Sequence, residues 1–83
     1  MEADDNLISI FPNPAREYIN IYVANPSSNL SVEVYNAIGK KIAERNLTSS
    51  NNSMSIQNFP AGIYVFRVRN GNRNFATKVI IEK

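Results

Sequence analysis

Apolar residues in this chain recur at every second position in short runs, and clusters of Asn, Ser, Gly and Pro separate the runs. Such alternation puts successive side chains on opposite faces of an extended backbone, so each run predicts a strand with one buried face. The clearest is Tyr18-Ile19-Asn20-Ile21-Tyr22-Val23, where Ile19, Ile21 and Val23 share a face. Leu30, Val32 and Val34 repeat the pattern, with Ser31, Glu33 and Tyr35 turned outward. Upstream, residues 7–11 form a short extended segment stopped by Pro12 and Pro14, which lack the ladder donor and bias the residues before them to extended geometry. Residues 40–46 and 53–57 are expected strands, the second with Met54 and Ile56 inward, and 47–52 is a polar connection. No stretch keeps helical periodicity over the length a helix needs.

Two hairpins have predictable registers. Opposing Val34 with Ile42 matches apolar faces and leaves the three-residue loop Ala37-Ile38-Gly39, a type I turn closed by a left-handed glycine. Residues 63–70 pair with 73–82 around Gly71-Asn72, whose leading glycine suits a type II′ turn. This register sets Tyr64, Phe66 and Val68 against Val79, Thr77 and Phe75 on an apolar face. The other face pairs Ile63 with Ile80, Val65 with Lys78 and Arg67 with Ala76, a mixed surface for solvent or a partner. Ile80 and Ile81 fall on opposite faces, so one of them is expected to be exposed. Gly39 and Gly62 are expected to need positive φ or close backbone approach. The sum is about seven strands in two packed antiparallel sheets, an all-β, immunoglobulin-like sandwich.

Composition narrows the chemistry. Eighty-three residues form one domain with a thin core, and without Cys or His there are neither disulfides nor the usual zinc ligands to staple it. The net charge is +2 and the basic residues are scattered, a poor electrostatic footprint for nucleic acid. No apolar run approaches the roughly 18 to 20 residues of a membrane-spanning helix. Glu17, Glu33 and Glu44 have no evident base or metal partner, so catalysis has no sequence support and no cofactor is called for. Residues 1–6 are polar, acidic and aperiodic and read as a linker remnant, leaving 7–83 as the domain.

Four motifs follow in a fixed order: Phe11-Pro12-Asn13-Pro14, Val34-Tyr35-Asn36-Ala37-Ile38-Gly39-Lys40, Pro60-Ala61-Gly62-Ile63-Tyr64 and Lys78-Val79-Ile80-Ile81-Glu82-Lys83. Singly, each is turn or strand chemistry: a rigid proline corner in which Asn13 can form an Asx-turn, a hairpin glycine before an exposed Lys40, a core tyrosine, and a last strand guarded by Lys78 and Lys83. The third motif also looks like the strand opening of fibronectin-type sandwiches, where a buried tyrosine ties its hydroxyl to nearby backbone in a tyrosine corner.

As an ordered set, spanning residues 8–83, the motifs closely resemble the C-terminal sorting domain of type IX (Por) secretion cargo. The resemblance implies a non-catalytic signal that takes a covalently linked N-terminal passenger from the periplasm of a Gram-negative cell to its surface or beyond. The implied partners are an outer-membrane translocon, a shuttle protein and a sortase-like peptidase that removes the domain and attaches the passenger. The residues implied in recognition are Pro12, Asn13, Pro14, Lys40, Lys78, Val79, Ile80, Ile81 and Lys83, with Gly39, Gly62, Tyr64 and Gly71 as structural positions. The runner-up reading is an accessory sandwich that binds carbohydrate or mediates adhesion. There is no Trp, and Tyr18, Tyr22 and Tyr35 are the expected outward aromatics, the first two on one face.

Overall fold

The computed structural model describes residues 8–83, so the linker expected at 1–6 lies outside the described residues. Seven strands follow one another: β1 (Ile8–Phe11), β2 (Tyr18–Val23), β3 (Leu30–Tyr35), β4 (Lys41–Asn46), β5 (Asn51–Ser55), β6 (Gly62–Asn70) and β7 (Arg73–Ile81). They form a three-stranded sheet in the order β1-β2-β5 and a four-stranded sheet in the order β4-β3-β6-β7, with every strand pair antiparallel. Among the described residues no helix is long and apolar enough to cross a membrane.

The alternation that predicted the strands also builds the core. Ile19, Ile21 and Val23 of β2 meet Val32 and Val34 of β3, Phe66 and Val68 of β6, and Val79 and Ile81 of β7 in one buried cluster. Each fully buried aliphatic or aromatic side chain contributes about 1.5–3 kcal/mol relative to exposure, so the cluster is the main source of stability in a domain without covalent staples. Tyr64 is also buried, and its hydroxyl donates to the carbonyl of Pro60 while its ring stacks on Phe59 with centroids 5.6 Å apart. The tyrosine corner therefore forms, and it satisfies a hydroxyl that the core would otherwise strand.

The β6–β7 register is the expected one throughout, from Ile63 opposite Ile80 to Asn70 opposite Arg73. Gly71 has φ 65° and Asn72 has no positive φ, as a type II′ turn requires. Asn70, just before this turn, is buried; its side chain accepts from the Ser27 amide at 2.7 Å and donates to the Asn25 carbonyl at 3.2 Å. It thereby anchors the β2–β3 loop.

The β3–β4 hairpin differs from expectation in one respect. Tyr35 opposes Lys41 as expected, but Val34 opposes Ala43 rather than Ile42, because a bulge between Val34 and Tyr35 inserts an extra residue in β4. The expected pairing assumed unbroken alternation, and an edge strand is where a bulge is most readily tolerated. Its effect is visible in the ion pairs: residues three apart face opposite ways in a regular strand, yet Lys41 Nζ reaches Glu44 Oε1 at 2.9 Å. The fifth strand also starts earlier than expected, at Asn51, and ends at Ser55, so Ile56 reaches the core from the following turn.

In the β3–β4 turn the Asn36 carbonyl accepts from Gly39 N at 2.9 Å, and its side-chain oxygen accepts from Ile38 N and Lys40 N. Gly39 sits at φ 87° with open space where a Cβ would be. A side chain there meets backbone strain but no clash. Gly39→Ala is expected to cost about 1 kcal/mol, read as a lower urea midpoint at unchanged slope. An unshifted midpoint would mean that the turn does not need the left-handed conformation.

Candidate functional site

The first and last motifs, more than sixty residues apart in sequence, are hydrogen-bonded to each other. Two prolines, each following a cis peptide bond, turn the chain between β1 and β2 so that Asn13 faces the outer edge of β7. The Asn13 amide donates to the Lys78 carbonyl at 3.0 Å, and its side-chain oxygen accepts from Ile80 N at 3.0 Å. Asn13 therefore acts as a short strand against β7 and does not form the Asx-turn expected of it. Next to it, Ala15 N donates to the Ile80 carbonyl and Glu82 N donates to the Ala15 carbonyl, both at 2.8 Å, in a parallel bridge of Ala15 with Ile81. Ala15 is completely buried. Its small side chain lets the two backbones approach, a role that no periodicity in the sequence announced.

The edge of β7 is thus closed from Lys78 to Glu82. Toward the hairpin turn, at Asn74 and Ala76, the same edge has no backbone partner among the described residues. The second flank of β7 is held by Lys83, whose ammonium donates to the carbonyls of Ile56 and Gln57 at 3.1 and 3.2 Å. Lys83 is a strut to the turn after β5, where the sequence suggested a gatekeeper against edge pairing or a recognition residue.

Within β7 the four apolar and basic positions separate cleanly. Val79 and Ile81 are core residues, with Ile81 only 1% exposed, while Ile80 is 42% exposed and Lys78 is exposed beside it. Ile80 lies opposite Ile63, and Lys78 opposite Val65, both also exposed. Together they form a small apolar patch with a cation at its border on the outward face of the four-stranded sheet. Ile38, 86% exposed at the tip of the β3–β4 turn, shares a shallow groove of about 250 Å³ with Ile63 and Ala61. Lys40 is exposed in the same turn, and its ammonium has no partner among the described residues.

Farther along this face, charges pair. The Tyr35 hydroxyl donates to Glu33 Oε1 at 2.9 Å, and Lys41 Nζ lies 3.7 Å from Glu33 Oε2. The Glu33 carboxyl is held below its ordinary pKa first by the Tyr35 hydrogen bond, opposed by burial and helped by Lys41, Arg69 and Arg67. Lys41 is raised, chiefly by its hydrogen bond and attraction to Glu44. These charges leave the Ile63, Val65, Ile80 corner as the apolar end of an otherwise polar face.

The comparisons with known proteins give this geometry a family. The profile of the secretion system C-terminal sorting domain matches residues 9–82. The chain belongs to that family, the type IX secretion sorting domains. The sorting domain is also 29% identical over 73 residues to the beta-agarase A of Zobellia galactanivorans, a match covering 88% of this chain and 13% of that protein. The chain thus spans about an eighth of that relative's length. In structure it is similar to a DUF3244 family protein of Bacteroides vulgatus ATCC 8482 with an immunoglobulin-like β-sandwich fold. The TM-score is 0.78 at 20% identity, over 98% of this chain and 90% of that one. Sorting domains of this family are generally non-catalytic, and membership implies a secreted or cell-surface protein that meets the secretion machinery.

Two outcomes test this geometry. Asn13→Ala should lower stability by about 1–2 kcal/mol and speed amide exchange at Ile80 well above that at Val79, whose amide lies within the β6–β7 pair; equal protection at both would remove Asn13 from the edge. For Glu33, the lowered folded pKa means that its contribution is present above the unfolded pKa and is lost as pH falls through the folded one. Glu33→Gln should therefore lower Tm slightly at neutral pH and converge on wild type at acid pH, which flattens the acid limb of the Tm against pH curve. An unaltered acid limb would show that the Tyr35 and Lys41 contacts do not couple to folding.

Proposed function

We propose that this sorting domain carries an N-terminal passenger through the periplasm and is read by an outer-membrane translocon and its shuttle protein at the base of the β6–β7 hairpin. Lys78 and Ile80, with Ile63 and Val65 beside them, make the contact. Lys40 and Ile38 lie at the neighbouring turn and extend the same surface. Val79 and Ile81 act by holding the strand in the core, and Pro12, Asn13, Pro14 and Lys83 act by presenting it. After export a sortase-like peptidase separates the domain and attaches the passenger to the cell surface.

The observation that carries this reading is the exposure of Lys78 and Ile80 on a strand whose edge and flank are both held within the domain. With the edge closed at 78–82, a partner meets this end of β7 through its outward side chains and not by adding a strand. Exposed apolar residues with a bordering cation are the composition of a small recognition patch.

The test is a reporter with its own signal peptide fused ahead of the domain, in a cell with the type IX machinery. The wild-type fusion should reach the surface or medium. Lys78→Glu combined with Ile80→Ser should leave the melting curve within about 1 kcal/mol of wild type and reduce export sharply. Ile81→Ala should instead destabilise the domain by about 2–5 kcal/mol and lose export through misfolding. A wild-type fusion retained in the periplasm, while another cargo crosses, would end the sorting proposal; normal export of the folded double variant would move recognition off this patch.

A further inference from the structure

The two outward sheet faces differ in charge. None of β1, β2 or β5 contains a charged residue, whereas every strand of the other sheet carries at least one. A solvent-facing sheet ordinarily uses charge for solubility and against edge pairing. This one instead presents three aromatic rings and a set of neutral hydrogen-bonding groups.

Phe11 is 48% and Tyr18 52% exposed, and Tyr22 is half-buried. The register aligns Phe11, Asn20 and Ser53 in one row across the three strands and sets Tyr22 beside Asn51 in the next. Tyr18 and Tyr22 are four residues apart on one face, about 13 Å along the strand, and Phe11 stands between them on the neighbouring strand. Phe11, Asn20, Tyr22, Asn51 and Ser53 line an open groove of about 340 Å³. The side chains of Asn20, Asn51 and Ser53 make no hydrogen bond within the described residues, nor do the hydroxyls of Tyr18 and Tyr22.

We propose that this face is a binding site for a neutral polysaccharide, a function separate from sorting. Flat aromatic rings offer an apolar surface to the C–H face of a pyranose. Side-chain amides and hydroxyls supply both donors and acceptors, which is what a ring of hydroxyls requires. The lack of cations disfavours acidic glycans, and the lack of anions leaves a basic partner no counter-charge. An open groove on a sheet face suits an extended polymer, whereas a small metabolite is usually held in a closed cavity.

Native gels cast with soluble β-glucan, galactomannan, xylan or dextran, and with alginate as a charged control, test this directly on the 83-residue chain. Migration should be retarded by at least one neutral polymer and not by alginate. Phe11→Ala with Tyr18→Ala should weaken retardation about tenfold or more, as should Asn51→Ala to a smaller extent, while Arg45→Ala on β4 should not change it. Should the ring variants fail to fold, amide shift changes on titrating wild type with oligosaccharides of the retarding polymer decide, and they should fall on β1, β2 and β5. No retardation in any neutral gel, retardation by alginate alone, unchanged binding by the folded ring variant, or shift changes centred on β6 and β7 would each overturn the proposal.

Discussion

The end of this domain that displays Lys78 and Ile80 depends on the seal between residues 13–15 and the outer edge of β7. An edge strand carries a row of unsatisfied backbone groups that invites pairing with another chain. Here the Asn13 side chain and the Ala15 backbone satisfy that row from Lys78 to Glu82. Because residues 13–15 link β1 to β2, the seal also joins the two sheets. Lys83 makes a second join, from the end of β7 to the turn after β5. The last strand of the four-stranded sheet is thus gripped by both flanks of the three-stranded one.

The seal makes one structural unit of motifs that lie far apart in sequence. Loss of the Pro12-Asn13-Pro14 corner would reopen an edge and free the strand that carries Lys78 and Ile80. The core contributes the other half of the constraint. Val79 and Ile81 point inward and Lys78 and Ile80 outward as a consequence of strand pleat. One strand therefore fastens the sandwich with two side chains and displays two others. Adjacent positions in this motif therefore alternate between core and surface.

The sandwich also keeps its two outer surfaces chemically distinct. The four-stranded face mixes an apolar corner with the Glu33, Lys41 and Glu44 charges, while the three-stranded face is uncharged and aromatic. A domain small enough to have a single core layer can still present two unlike surfaces, since alternation along each strand assigns every second residue to the outside. Hydrogen bonds at the sheet ends, at Asn13, Asn70 and Lys83, keep the faces in fixed relation without drawing on either.

Sequence alone determined the features that depend on local period and turn chemistry. The seven strands, the inward sets of β2 and β3, the full β6–β7 register, the left-handed Gly39 and the buried Tyr64 all follow from alternation, glycine placement and the need of a buried hydroxyl for a partner. The order of four motifs also pointed to the family. Tertiary structure decided what depends on residues distant in the chain. The bulge that turns Lys41 toward Glu44, the carbonyls that receive Lys83, the edge that Asn13 covers and the burial of Ala15 are properties of contacts between segments. Alternation marks Phe11 only as the end of a strand, and the pairing of β1 with β2 sets its ring beside Asn20 on the outer face. Alternation specifies which way a side chain points relative to its own strand; it carries no information on which strand or corner lies alongside, and that is set by how the two sheets pack.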